Sequence, residues 1–342
     1  MTSITEVARL AGVSIATASR VVSEADYPVS ARTRERVLTA AKELDYVPNA
    51  LARGLLKSQI PVVGVIVHDI TDPYFAEVVR GVEDAAESGG YLVITCSSER
   101  DGAREASYVR LLRSMRAAGV IFAGSGLDDP ASVEELPRHV AALRASGAAV
   151  VHLSPHAQGE PEISVDNRNG IASMVAALVE LGHSRIAFLA GPSSLYVARE
   201  RLAGYRHGLA EAGIPADERL IVGTGFSAEA GARAIDDILD AHLEPGTAFS
   251  AILCANDLLA LGALQRLHEH GIDVPADVSV AGFDDIPVAA MTAPSLSTVR
   301  LPLREMGKRG FEAAIRALEG EQVMPETLPT EVVMRDSTGR RQ

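Results

Sequence analysis

Between Ser3 and Val22 the chain sets hydrogen-bonding side chains at the starts of two short helices. Ser3 and Glu6 have the spacing of a capping box, in which a hydroxyl and a carboxylate each satisfy an orphan amide. Gly12 supplies a turn residue that can turn left-handed without a Cβ penalty. Ser14 stands where the N-cap of a second helix belongs. Two short helices joined by a tight turn are the sequence form of a helix-turn-helix, whose second helix enters the major groove of DNA. The chemistry this segment offers is hydrogen bonding, not bond making. Catalytic patterns do not emerge elsewhere. No Walker A sequence occurs, and Gly124-Ser125-Gly126 lacks the full G-x-S-x-G elbow. His152 and His156 are four apart, but in a stretch that reads as strand end and loop, a poor zinc site. No nucleophile–base set assembles, so the chain is not expected to be an enzyme and no cofactor is expected.

Length and charge frame this segment. At 342 residues the chain exceeds one ordinary core, so two or three domains are expected. The formal net charge is −13. Residues 1–60 instead carry eight Arg or Lys (Arg9, Arg20, Arg32, Arg34, Arg36, Lys42, Arg53, Lys57) against six acids. A small basic module on an acidic body can bind DNA through one face while the body repels it. So modest an excess implies two modules acting together, hence a dimer on a two-fold site. No apolar run is long enough to span a bilayer, and no basic-then-apolar signal segment opens the chain; a soluble, cytoplasmic protein is expected, with no membrane partner. Cys96 and Cys254 lie in apolar, strand-like runs and are expected to be buried, reduced thiols.

After residue 60, strand and helix signals alternate. Strands are expected at Val62–Val67, Tyr91–Cys96, Gly119–Phe122 and Ala149–Leu153, separated by helices at Tyr74–Glu87, through Arg113, and near Val133–Arg144. A second series follows Asp166: strands at Arg185–Leu189, Arg219–Val222, Ala251–Cys254 and Val278–Phe283. Its helices are Ile171–Leu181, Val197–Ala212, Ala228–Leu239 and Asp257–His270. Buried strands separated by amphipathic helices mean parallel sheets with right-handed crossovers. The fold class is α/β, and two halves of similar size suggest two lobes with a cleft beyond the carboxyl ends of their strands.

The chain resembles the lac repressor/galactose repressor family of bacterial transcriptional regulators. The first sixty residues carry the likeness through Ile4–Val22, through the third-helix segment Val29–Val37, and through the hinge-like Leu44-Asp45-Tyr46-Val47-Pro48-Asn49-Ala50-Leu51-Ala52-Arg53-Gly54-Leu55. Asp72-Pro73-Tyr74-Phe75, Gly191-Pro192, Arg199–Tyr205 and Arg335-Asp336-Ser337-Thr338 extend it over essentially the whole chain. The resemblance implies a headpiece at 1–47 and a hinge helix and linker at 48–60, followed by a periplasmic-binding-protein-like body. The body's first lobe would be 61–164 plus 292–324 and its second 165–291 plus 325–342, with crossings near Ser164, Met291 and Pro325. Base edges would be faced by Ile15, Ala16 and Arg20; Arg20 can grip guanine O6 and N7 together. Ser3, Ser14, Thr17 and Ser19 suit the DNA backbone. Asn49, Ala52 and Leu55 belong to a hinge helix that forms on the operator, with Leu55 as a minor-groove wedge.

For the cleft the resemblance implies Asp72, Tyr74, Phe75, Arg201, Phe226, Asn256 and Asp284 as effector-binding residues, with Phe75 equally readable as core. Arg199 and Asp257 read as structural, Asp285 as solvent-exposed, and Asp166 as holding a lobe crossing or touching ligand. Aromatic faces beside Asp, Asn and Arg suit a polyol, so a sugar or sugar derivative leads and a nucleoside, purine or other nonsugar effector is the alternative. One departure stands out. Leu153-Ser154 occupies the place where sugar-binding relatives usually carry Asp-Arg, and Leu195-Tyr196-Val197 is unusually apolar. The resemblance implies a homodimer on a palindromic operator with a central C-G step, controlled by effector that either induces or corepresses. No heptad tail follows the closing motif, so a tail-built tetramer is not expected. Two other readings stay open, a cytoplasmic ligand-binding protein without specific DNA binding and an unrecognised hydrolase.

Overall fold

A computed structural model describes residues 2–22, 28–46, 59–127, 130–155 and 162–341. Helices α1 (Ile4–Ala11), α2 (Ile15–Val22) and α3 (Ala31–Glu43) enclose a small core of Val7, Ala8, Ala11, Ala18, Val21, Val37, Ala40 and Ala41. Their apolar positions recur at helical spacing, so each helix turns one face inward. Thr2 Oγ1 donates to the Leu44 carbonyl at 3.1 Å and ties the chain start to the end of α3.

The body begins with a strand apolar on both faces, as a central parallel strand must be. In chain order the first lobe comprises β1 (Ile60–Val67), α4 (Pro73–Ser88), β2 (Leu92–Ser97), α5 (Gly102–Ser114), β3 (Ala117–Phe122), α6 (Pro130–Ala145) and β4 (Ala149–His152). Its four strands are all parallel, in the order β2-β1-β3-β4. After β5 (Ile163–Val165) come α7 (Asn167–Glu180), β6 (Ile186–Ala190), α8 (Tyr196–Glu211), β7 (Ile221–Gly223), α9 (Ala228–Asp240), β8 (Ala251–Cys254), α10 (Asp257–Glu269) and β9 (Ser279–Ala281). They form a second parallel sheet, ordered β7-β6-β8-β9. Each order reverses once, between β1 and β3 and between β6 and β8, and such switch points leave a crevice beyond the strand ends.

The remaining elements are β10 (Thr298–Arg300), α11 (Leu303–Leu318), β11 (Glu326–Leu328) and β12 (Glu331–Val333). β11 runs parallel beside β5, and β10 pairs antiparallel with β12. Ser297 still belongs to the second lobe: Gly282 N donates to its carbonyl at 2.8 Å. The chain therefore leaves that lobe at Thr298–Arg300, later than the crossing expected near Met291. All four crossing strands pair with one another, outside the two main sheets, and none lies in a long apolar run that would mark it in the sequence.

Two close packings fix the lobes. Glycines at Gly81 of α4 and Gly307 of α11 let these helices meet backbone to backbone: a Cβ on Gly307 would strike the Val78 carbonyl, and one on Gly81 the Arg304 carbonyl. His183 joins the C-terminal segment to the second lobe, its Nδ1 2.9 Å from Ser250 Oγ and its Nε2 3.0 Å from the Gly339 carbonyl. The carbonyl only accepts, so the ring carries its proton on Nε2. Cys254 is fully buried in β8 as expected, whereas Cys96 is half-buried because β2 is an edge strand.

Asp257 is the buried fastener of the crossing. Its Oδ1 accepts from Thr298 Oγ1 at 2.6 Å and its Oδ2 from the Ile286 amide at 2.9 Å, while its own amide donates to Phe283 at 2.8 Å. Asn256, not Asp257, caps α10. Asp285 is not the exposed residue expected. Arg300 Nε and Arg335 Nη2 each reach it at 2.7 Å, and its side chain is 9 % exposed.

Gly307→Ala should destabilise the body by about 1–3 kcal/mol, the usual range for overpacking, read as a lower urea midpoint. Burial drives the Asp257 carboxyl up to about 7 from an ordinary 3.8. Its proton is thus held more tightly in the folded chain, so the stability it confers is complete below about 3.8 and is lost as pH rises through about 7. Urea titrations between pH 5 and pH 8 should show native stability falling with pH and a shallower fall in Asp257→Asn; parallel curves would contradict this.

Candidate nucleic-acid interface and effector cavity

The α1–α2 pair has the expected caps. The Ser3 amide donates to Glu6 Oε2 at 2.8 Å and the Glu6 amide to Ser3 Oγ at 3.4 Å, completing the capping box. Gly12 closes α1 with φ 64, and Ser14 Oγ receives the Thr17 amide at 3.1 Å. Ala18 and Val21 face the core, which turns Ile15, Ala16 and Arg20 outward; Ile15 is 51 % exposed. Ser3 and Ser14 are also exposed, Thr17 and Ser19 half-buried. One contributor had no sequence signal: the Arg36 guanidinium of α3 donates to the Ala11 carbonyl and holds the turn. Asn49, Ala52 and Leu55 lie outside the described residues.

In the body, segments that follow the strands of both sheets surround one cavity, with an empty volume of about 420 Å³ including its open mouth. Asp72, Tyr74 and Phe75 reach it from the start of α4, and Arg201 from α8. Phe226, Asn256 and Asp284 come from the ends of second-lobe strands. All seven residues singled out for the cleft thus line a single space. His68, Arg100, Ala123, Ser125, Ser154, Leu195 and Val197 complete the lining. His68 and Ala123 sit just past β1 and β3, where the strand-end rule could have found them. Arg100 gave no sequence signal, since its placement depends on a left-handed backbone at φ 60.

Arg201 is 4 % exposed and has an acceptor for each nitrogen. Nε donates to Asn167 Oδ1 at 2.9 Å and Nη1 to the Ala255 carbonyl at 2.6 Å; Nη2 lies 3.1 Å from Asp284 Oδ1. The Phe283 ring lies 4.2 Å beneath its guanidinium carbon. Asp284 thus pairs with Arg201 through Oδ1 while the residue lines the cavity. Burial pushes the Asp284 carboxyl well above its ordinary range; Arg201 opposes that, and Asp257 and Asp72 add to it. Burial likewise raises Asp72, whose Oδ1 accepts the Tyr74 amide at 3.0 Å. The Tyr74 hydroxyl is pushed upward by burial and then by Asp284, and Ser154 hydrogen-bonds it.

Several expectations resolve on this geometry. Phe75 is both core and lining: it is 5 % exposed and meets the edges of His68 and Tyr74. Asn256 Oδ1 caps α10 at Leu259 N, and its Nδ2 donates to the Phe226 carbonyl at 3.3 Å, so its first duties are structural. Asp166 caps α7, and its neighbour Asn167 supports Arg201 instead. Arg199 donates to the Ser193 carbonyl at 3.0 Å and lies over the Tyr196 ring. Leu153 points into the first-lobe core beside Gly310, so of the departing pair only Ser154 reaches the cavity. His152 is stacked on Phe122 at 4.8 Å, and His156 lies outside the described residues.

No helix among the described residues is long and apolar enough to cross a membrane. Two family patterns match the chain: bacterial regulatory proteins of the lacI family over residues 3–49, and the periplasmic binding protein-like domain over 175–338. The HTH-type transcriptional regulator DegA of Bacillus subtilis (strain 168) is 34% identical over 339 residues, 98% of each chain. The solved complex of the transcriptional regulator CelR with cellobiose is 32% identical, with a TM-score of 0.72 over 98% of this chain and 100% of that one. The lac repressor dimer bound to operator and the anti-inducer ONPF is 31% identical, with a TM-score of 0.85 over 99% of each. The chain belongs to the LacI family of bacterial regulatory proteins, DNA-binding transcription regulators with a helix-turn-helix domain and a periplasmic-binding-protein-like body.

Proposed function

We propose that this regulator binds a palindromic operator as a homodimer and acts as a repressor governed by a small molecule in the interlobe cavity. The observation that carries this reading is the cavity itself, lined by side chains of both lobes: Asp72 and Tyr74 from one, Arg201 and Asp284 from the other. A ligand touching both lobes makes different contacts when they are open and when they are closed, and only such a difference can shift an equilibrium. Ile15, Ala16 and Arg20 read bases, while Ser3, Ser14, Thr17 and Ser19 position the headpiece on phosphate. Asn49, Ala52 and Leu55 form the hinge segment that orders on the minor groove, with the two Leu55 wedges at the operator centre. Effector that favours disordered hinges induces; effector that favours ordered ones corepresses, with a coupling of about 1–3 kcal/mol in either sense.

The effector class that fits best is a sugar or sugar derivative. Asp72 and Asp284 are hydroxyl acceptors, Arg201 closes the polar side, and Tyr74, Phe75 and Phe226 offer ring surface. The similar CelR protein binds cellobiose, which supports the same class here.

A gel shift against DNA upstream of the chain's own gene tests the first half. A specific, salt-sensitive shift is expected, and Arg20→Ala should lose about 1–3 kcal/mol of sequence discrimination. Leu55→Ala should weaken specific binding far more than nonspecific binding; absence of any selective shift would leave a ligand-binding protein with a vestigial headpiece. For the second half, a thermal-shift panel of sugars, polyols, sugar phosphates, nucleosides and purines should return a sugar whose stabilisation disappears in Asp284→Ala. Saturation at a hundred times the dissociation constant adds about 2.7 kcal/mol. A nucleoside hit would move the class, and turnover of a substrate would instead mark a hydrolase.

A further inference from the structure

One stretch of the cavity wall is built unlike the rest. Leu195 and Val197 belong to the second lobe, yet their segment is fastened to the first. The Val197 amide donates to Ser125 Oγ at 3.2 Å and the Tyr196 amide to the Gly126 carbonyl at 3.4 Å, while Leu127 and Leu195 form an antiparallel bridge. Leu195 is 1 % exposed.

This clasp engages the polar atoms it brings along. The Leu195 amide donates to Pro192 at 3.0 Å, and the Leu195 carbonyl accepts from Arg199 N at 3.3 Å. Ser125 Oγ, besides receiving Val197 N, donates to the Gly126 carbonyl at 3.4 Å. What the segment turns to the ligand is therefore hydrocarbon, and Ala123 and Phe226 add to it. A ligand hydroxyl held against Leu195 and Val197 would give up its water without gaining a partner, a large penalty for a single group. Elsewhere the cavity is the reverse: Asp72, Arg100 and Asp284 line it with charged side chains.

We propose that the effector is a deoxy sugar, a monosaccharide with hydrogen in place of one hydroxyl, seated with its unhydroxylated carbon against Leu195 and Val197. The inference rests on the polyol reading of the cavity and narrows it. Hydroxyls at the other positions donate to Asp284 and Asp72 and accept from Arg100. The preference is preformed, because the clasp holds Leu195 and Val197 in place by backbone contacts rather than by the ligand.

Matched pairs test it on the full-length protein by isothermal titration: 6-deoxygalactose with galactose, 6-deoxymannose with mannose, 6-deoxyglucose and 2-deoxyglucose with glucose, and 2-deoxyribose with ribose, in both enantiomers. The deoxy member of at least one pair should bind about tenfold more tightly than its parent. Val197→Thr, nearly isosteric and carrying a hydroxyl, should erase or invert that ratio, with its unliganded melting temperature as the fold control. A parent sugar that binds as tightly as its deoxy partner, and loses binding in Asp284→Ala, overturns this inference and leaves the sugar reading standing. A deoxy preference untouched by Val197→Thr also overturns it. Failure of every pair overturns the inference, while the broader sugar reading stands or falls on the thermal-shift panel.

Discussion

A guanidinium withdrawn from water must be given acceptors in the geometry of its own fork, and the body is arranged around that requirement at Arg201. Its three nitrogens take Asn167 from the start of α7, the carbonyl that follows β8, and Asp284 beyond β9, so one side chain gathers three segments. Arg201 is nearly fully buried, and breaking such a buried contact by removing one partner typically costs about 3–5 kcal/mol. Asp284 is held in an unusual place to meet it: φ is 121 there and 55 at Asp285, two successive non-glycine residues in the left-handed region. Strain of about 1–3 kcal/mol per residue survives only where the surroundings over-determine the backbone. Here they do so through Asp284 N on Val299 at 2.9 Å and through the two arginines on Asp285.

The same constraint explains why the acids beneath the cavity form a graded set. Asp257, Asp284 and Asp72 are all raised chiefly by burial; Asp257 and Asp72 add to the rise at Asp284, Asp285 to that at Asp257 and Asp69 to that at Asp72, while Arg201 opposes the rise at each of them. Of the three, Asp257 is engaged by Thr298 and Ile286, Asp72 caps α4 at the Tyr74 amide, and Asp284 meets Arg201 in the cavity lining. The proposal that Asp284 faces a ligand rests on its place in the cavity lining.

What could be read from the chain before the fold divides along physical lines. The long helices and buried strands of both sheets carry strong periodicity and stood within a few residues of their places. The caps at Ser3 and Ser14 and the left-handed Gly12 were legible because local chemistry alone dictates them. The four crossing strands were not, because no long apolar run contains them and their pairing partners lie far apart in sequence. Within the cavity, side chains on recognisable motifs were found, while Arg100 and Ser125 were missed. Arg100 depends on a strained backbone, and Ser125 on a contact made only when the two lobes meet. At the Leu153-Ser154 departure, neighbouring side chains turn to opposite faces, which buries Leu153 in the core and leaves Ser154 in the cavity lining.

That clasp also sets an energy scale. Two hydrogen bonds and a short bridge join the first lobe to the segment that opens α8, and hydrogen bonds of this kind each contribute about 0.5–1.5 kcal/mol net. Their sum is comparable to the roughly 1–3 kcal/mol by which two sites in an allosteric protein are commonly coupled. On the proposed mechanism, these contacts are of the same size as the signal that lobe closure would carry. A much stronger clasp would hold the lobes closed whatever occupied the cavity, and none would leave a small ligand to bear the whole cost of closing them. Because the clasp is made by backbone and a serine hydroxyl, its strength is independent of the Leu195 and Val197 side chains that it presents. Selectivity at that wall can then change by substitution while the closing energy stays nearly fixed.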